Sequence, residues 1–194
     1  MNKRPFDDII AGICKKDIIQ EFGITHYRYN DCEPSRLVEA GAEITVRDDC
    51  AKAFSNMQSA AKKDGVKIRI VSGFRSSKYQ IQIFKRKFKN YKGIEIYPSD
   101  EQMKARLKYS APSGFSEHHT GLAIDINDTE ERFKNTKASK WLNEHAKEYG
   151  FELSFPENNV QGLGYEPWHW RYIGLNGENE KIFHQARSND PRFS

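Results

Sequence analysis

Strand-like and helix-like segments follow one another along this chain without a regular alternation, and that order constrains the fold more than any single residue does. Asp48 or Asp49 is expected to cap a helix reaching Lys63, with Ala53, Phe54, Met57, Ala60 and Ala61 on one face and Asp64-Gly65 ending it. Val66-Lys67-Ile68-Arg69-Ile70-Val71 then alternates apolar and basic side chains, the period of a half-buried strand. Ser76 starts a helix that turns Tyr79, Ile83, Phe84 and Phe88 towards the core, and Ser99 with Gln102 forms a capping box for a helix to about Tyr109. Residues 121–126 read as a second strand. A helix over residues 138–149 carries Trp141, Leu142 and Ala146 inward and stops at Gly150. Residues 151–155 and 168–173 supply two further strands around a polar turn at 157–161, and residues 179–186 close the chain with a helix. A doubly wound fold needs steady strand–helix repetition, so the expected class is α+β with a small, largely antiparallel sheet and flanking helices.

The chain has 194 residues, enough for one domain with a real core. A short helix at residues 7–20, with Ile9, Ile10, Ile13 and Ile18 on its apolar side, and an irregular stretch at 22–43 make residues 1–45 an N-terminal wrapping segment on a domain at 46–194. Charged residues are 30% of the chain but mixed in sign, and the net charge is only +4. The one dense basic run, Lys85-Arg86-Lys87-Phe88-Lys89, has the spacing of the wet side of a helix, which argues against a nucleic-acid partner. The basic N-terminus lacks a following apolar region, because residues 9–19 are interrupted by Lys15, Lys16 and Asp17. No signal peptide or membrane span is read, so the expectation is a cytoplasmic monomer. Cys14, Cys32 and Cys50 form no Cys-x-x-Cys pair and read as reduced, mostly buried thiols.

Three short blocks concentrate residues that carry chemistry. They are Ser72-Gly73-Phe74-Arg75-Ser76, the run from Ser116 through His118 and His119 to Asp125, and Glu166-Pro167-Trp168-His169-Trp170-Arg171-Tyr172. A catalytic zinc takes three protein ligands of nitrogen and oxygen type and keeps a fourth position open. His118 enters a strand that carries Asp125, and His169 lies on a second strand that an antiparallel sheet can set beside the first. Glu166 is not needed as a ligand and is free to act as general base towards water whose pKa zinc lowers from about 15.7 towards about 7.

The three blocks in this order resemble the VanY-type D-alanyl-D-alanine carboxypeptidases, within the zinc peptidases that include VanX dipeptidases, lysostaphin-like endopeptidases and the hedgehog fold. The family pattern Ser-x-His-x-x-Gly-x-Ala-x-Asp is filled by Ser116, His118, Gly121, Ala123 and Asp125, and its Glu-x-x-His pair by Glu166 and His169. The resemblance spans about residues 66–174. It implies a hedgehog-like α+β fold, Zn2+ held by His118, Asp125 and His169, and Glu166 moving a proton from water to the departing amine. Arg75 then contacts the substrate's terminal carboxylate or polarised carbonyl, with Gln80 and Ser116 as substrate-side hydrogen-bonding groups. The partners implied are peptidoglycan stem peptides or muropeptides. Many members carry Arg-Tyr-Pro where this chain has Ser154-Phe155-Pro156, so a contact made from that position is open, and Ser154 is a place where substrate choice could be set.

Bland readings stand beside these. A lone His-x6-Asp pair is usually a structural contact; the ordered blocks are what make it a metal reading. His119 is expected to lie behind a ligand or at the surface, His26, His145 and His184 to serve packing or solvent, and Trp168 and Trp170 to face the core away from His169. Tyr165 is a candidate for lining the pocket. A cytoplasmic location favours L,D-carboxypeptidase activity, tetrapeptide to tripeptide, over D,D-trimming of pentapeptide precursors. The alternatives are a D,D-carboxypeptidase, a phage-type endopeptidase and an inactive hedgehog-like binding module.

Overall fold

The computed structural model describes residues 26–86 and 99–183. The expected helix at 7–20, Cys14, Phe88 with the end of the basic run, the stretch at 91–98 and His184 lie outside the described residues.

Two antiparallel sheets organise the chain. In the smaller, β1 (Leu37–Glu39) pairs with β2 (Thr45–Arg47), so the stretch expected to be irregular contains a strand. In the larger, β3 (Ile70–Ser72), β4 (Ala123–Ile126), β5 (Phe151–Leu153) and β6 (His169–Tyr172) take the order β3-β4-β6-β5, every pair antiparallel. The small antiparallel sheet with flanking helices is the α+β architecture expected from the element order.

The longer helices among the described residues are α1 (Asp48–Lys63), α2 (Ser77–Arg86), α3 (Asp100–Leu107) and α4 (Lys137–His145). Arg47, not an aspartate, is the N-cap of α1; Asp48 and Asp49 sit in its first turn, where the helix dipole favours negative charge. The buried face of α1 is Cys50, Phe54, Met57 and Ala61. Both halves of the Ser99–Gln102 capping box form at the start of α3, at 3.0 and 3.3 Å. α4 is shorter than expected, giving way to a tight turn at Ala146–Tyr149 that ends on Gly150 with φ +78°. A Cβ at Gly150 lies 2.8 Å from the Gly174 backbone, so only glycine fits.

Strand pairing begins at Ile70, not Val66. Ahead of it, the Asn127 side chain occupies the place of a partner strand: its Oδ1 accepts from Arg69 N–H at 2.8 Å and its Nδ2 donates to the Lys67 carbonyl at 2.9 Å. Ile68 still reaches the core. In α2 the buried side chains are Gln80 and Phe84, while Tyr79, expected inside, is 49% exposed beneath the Arg86 guanidinium. Residues 180–183 are helical and bury Phe183.

The core packs α1 and α4 against one face of the large sheet through Phe54, Met57, Ile124, Ile126, Leu142, Phe151, Trp170 and Tyr172. Alternation along β4 and β6 sends Asp125, His169 and Arg171 to the opposite face, where all three remain buried. Cys50 is buried and Cys32 half-buried, both as free thiols. No helix among the described residues is long and apolar enough to cross a membrane.

Candidate active site

Asp125 and His169 are direct cross-strand partners in the β4–β6 ladder, which sets their side chains side by side on one face. His118 comes from the short turn Glu117–Thr120 that leads into β4 and ends on Gly121, whose φ is +67°. The His118 Nδ1–H donates to the Gly73 carbonyl at 2.7 Å, which leaves the Nε2 lone pair facing Asp125 Oδ2 at 3.3 Å. Burial, with the charge of Arg75, pulls the His118 pKa down to about 4, so the ring is neutral. Two buried acceptors therefore face each other, and Nε2 has no hydrogen-bond donor. A cation between them removes that conflict.

On the other side, His169 Nδ1 approaches Asp125 Oδ1 at 3.0 Å and Nε2 approaches Glu117 Oε2 at 3.2 Å. Burial alone depresses this imidazole, yet the two carboxylates raise its pKa to about 10. Ligand atoms of His118, Asp125 and His169 all lie within 4.8 Å of one another. Two imidazoles and one carboxylate make a donor set suited to zinc with a position left open.

Glu166 sits in the turn before β6, its Oε2 3.8 Å from His169 Nδ1. Burial pushes its carboxyl up to about 7 against the pull of His169 and Arg75. Arg75 follows β3 in a loop that is tightly held. Phe74 N–H donates to the Thr45 carbonyl at 2.7 Å, and a Cβ on Gly73 lies 2.5 Å from that same oxygen, so the loop lies flat on β2. Arg75 N–H donates to the His118 carbonyl, and the Arg75 carbonyl accepts from His119 Nδ1 at 2.6 Å. His119 Nε2 in turn accepts from Gly114 N–H at 3.0 Å, so both ring nitrogens are used. His119 thus holds the Arg75 loop from a fully buried position and does not join the ligand cluster.

The Arg75 Nε is buried without a hydrogen-bond partner, and its guanidinium interacts electrostatically with Asp125 and Glu166. Gln80 is buried; its Nε2 donates to the Ala111 carbonyl at 2.7 Å, and its Oε1 has no partner. Ser116 is buried one residue before Glu117. Arg75, Gln80, Ser116, His118, Asp125, Glu166 and His169 all line one cavity of about 370 Å³. The expected metal-binding, catalytic and substrate-binding residues thus share one space.

Several lining residues had other expected roles. Trp168 precedes β6 and lines the cavity, while Trp170 keeps its place in the core with Nε1 bonded to the Pro167 carbonyl. His26 is buried, bonds the Leu107 carbonyl at 2.7 Å and also lines the cavity. Tyr165 is absent from the lining. Ser154 is buried beside Glu117, and it is Phe155 that faces the cavity, its ring 4.9 Å from that of His169. Glu117 and Arg171 went unnoticed in the sequence. Burial opposes ionisation of Glu117, but the Arg171 guanidinium at 2.9 Å and His169 hold its carboxyl well below the usual carboxylate range. The signal was available: Glu117 lies inside the second block, and Arg171 lies two positions beyond His169 on the same strand face.

Residues 43–175 match the family model VanY, D-alanyl-D-alanine carboxypeptidase. The chain belongs to this family. Among curated relatives it is 36% identical over 159 residues to the putative carboxypeptidase YodJ of Bacillus subtilis, covering 73% of this chain and 55% of that one. It is 34% identical over 148 residues to a D-alanyl-D-alanine carboxypeptidase of Enterococcus faecalis, covering 75% and 54%. The chain thus spans about half the length of these two relatives. Among solved structures, the LdcB LD-carboxypeptidase matches with a TM-score of 0.63 at 32% identity, over 79% of this chain and 75% of that one. A mutant of the vancomycin-resistance D,D-pentapeptidase VanY, in complex with Zn(II), matches at 0.61 and 28% identity, over 82% and 92%. The fold is shared across these VanY-type and LdcB structures.

Proposed function

We propose that this chain is a zinc-dependent carboxypeptidase that removes the C-terminal D-alanine from peptidoglycan stem peptides, with L,D specificity that takes tetrapeptide to tripeptide. The observation that carries the reading is the convergence of His118, Asp125 and His169 in a cavity that also holds a buried carboxyl and a buried guanidinium. Zinc, held by those three side chains, supplies a Lewis acid that activates water and polarises the scissile carbonyl. Glu166, at a carboxyl pKa near 7, takes the proton from water and returns it to the departing amine. Arg75 pairs with the free carboxylate of the terminal residue, a role its unpartnered Nε and rigid loop suit. Gln80 and Ser116 offer further hydrogen bonds to the same residue.

The L,D assignment draws on the similarity to the LdcB LD-carboxypeptidase and to an L,D-carboxypeptidase DacB, at 28% identity and a TM-score of 0.51. The D,D reading draws on the curated relatives named D-alanyl-D-alanine carboxypeptidase and on a VanY structure in complex with D-Ala-D-Ala. The test is metal analysis of the purified protein, followed by separate incubation with tetrapeptide and pentapeptide muropeptides read by mass. Zinc in the protein with loss of one alanine from the tetrapeptide alone supports the proposal. Loss from the pentapeptide alone replaces L,D by D,D, and internal cleavage of the peptide overturns the carboxypeptidase reading.

A further inference from the structure

We propose that Glu117 is a positioning residue for the cation site: it fixes the ring of His169 from behind, and Arg171 keeps it available for that contact. The inference rests on the zinc reading above and deepens it.

Each of the two imidazoles uses one ring nitrogen towards the cavity and anchors the other on protein. His118 anchors through Nδ1 on a neutral backbone carbonyl, that of Gly73. His169 faces Asp125 and Glu166 with Nδ1 and anchors through Nε2 on Glu117 Oε2 at 3.2 Å. A carboxylate behind an imidazole orients the ring, fixes which nitrogen carries the proton, and makes the other nitrogen a stronger donor to a metal. His169 has this backing and His118 does not.

A buried carboxylate in that place needs compensation, and the fold supplies it. Glu117 is 3% exposed. Its other oxygen accepts from Arg171 Nη1 at 2.9 Å and from the Tyr29 hydroxyl at 3.4 Å. Arg171 is itself tied to Glu152 through Nε at 2.5 Å and lies over the Phe183 ring, 5.0 Å from its centroid. The Arg171 guanidinium offsets much of the Glu117 charge, and the direct route from Glu117 to the site is its contact with His169. Sequence geometry builds the arrangement cheaply. Glu117 immediately precedes His118, and Arg171 sits two residues after His169 on the same face of β6. One dipeptide therefore provides one imidazole and the support for the other.

The experiment measures zinc affinity by competition with a chromophoric chelator for wild type, Glu117→Ala and Glu117→Asp. Cobalt(II)-substituted protein gives the ligand-field absorption spectrum. Asn179→Ala serves as a control for lost stability, since Asn179 is buried in the Arg47–Asp49 network away from the cation site. The expected result is zinc binding 10- to 100-fold weaker in Glu117→Ala. Glu117→Asp, which keeps the charge but withdraws the carboxylate, should also bind more weakly. The cobalt spectrum should shift in both, while Asn179→Ala keeps wild-type affinity and spectrum despite a lower melting temperature. Wild-type affinity and an unaltered cobalt spectrum in whichever Glu117 variants fold overturn the proposal alone. A wild-type protein that takes up no zinc removes the zinc reading itself and this proposal with it.

Discussion

Replacing Glu166 by Gln should make the metal-free protein more stable, and only above a defined pH. The carboxyl is pushed from an ordinary 4.5 up to about 7, chiefly by burial. Between those two values the folded state holds a proton that the unfolded chain has released. Stability therefore falls as pH rises through the window from 4.5 to about 7, and the loss is complete above it. At about 1.36 kcal/mol per pH unit, the full loss comes to about 3 kcal/mol. Gln has nearly the same shape and no charge to bury, so Glu166→Gln should recover that amount at pH 8 and nothing below pH 4.5. For a chain of this size the gain corresponds to roughly 6–12 °C in melting temperature. The assay is thermal unfolding of both proteins with a chelator present, at several pH values from about 4.5 to about 8. An offset that is the same at every pH, or absent at pH 8, refutes the reasoning that an ionised Glu166 is held at a cost in stability. The trade of stability for a poised group is what an active-site base requires.

Three further outcomes follow from the site. Glu166→Ala should retain stoichiometric zinc while losing activity by about two to four orders of magnitude, checked by metal analysis beside release of free alanine. Amidation of the substrate's C-terminus should slow wild-type cleavage strongly and Arg75→Ala cleavage little; equal rates for acid and amide in the wild type argue for an endopeptidase. Because His169 has its pKa raised to about 10, it carries a proton on Nδ1 at pH 8 that zinc must displace. Calorimetry in buffers of different ionisation enthalpy should then report at least one proton released per zinc, and none if His169 is already neutral before the metal binds.

Local chemistry made much of this legible in the sequence. The Ser99–Gln102 box, the apolar face of α1 and the strand expected at 121–126, which forms over Ala123–Ile126, each depend on neighbours a few residues apart. Where the structure departs from these expectations, packing and pairing outside the local pattern decided the outcome. The alternation at Val66–Arg69 is a strand pattern without a strand partner, because Asn127 satisfies the backbone there. Tyr79 points outward because the inward positions of α2 are taken by Gln80 and Phe84. The cavity residues were legible as three blocks, whereas Glu117 was hidden by its own position, a charged residue between two conspicuous ones. Nothing in the string of letters says that Arg171, 54 positions away, comes within 2.9 Å of it.

The adjacency of His118 and His119 in a single turn has a consequence for what this site can become. His118 faces the cation position, His119 grips the Arg75 carbonyl, and Arg75 N–H returns to the His118 carbonyl. Under the proposed roles, the point where the bond breaks and the point where the free carboxylate docks belong to one stiff piece, a ruler with a fixed span. Substitutions among the other lining side chains, such as Phe155, Leu163 and Trp168, can change which residue is welcome ahead of the scissile bond. They leave the length of the ruler alone, so descendants of this site can change their choice of peptide while continuing to remove one residue at a time.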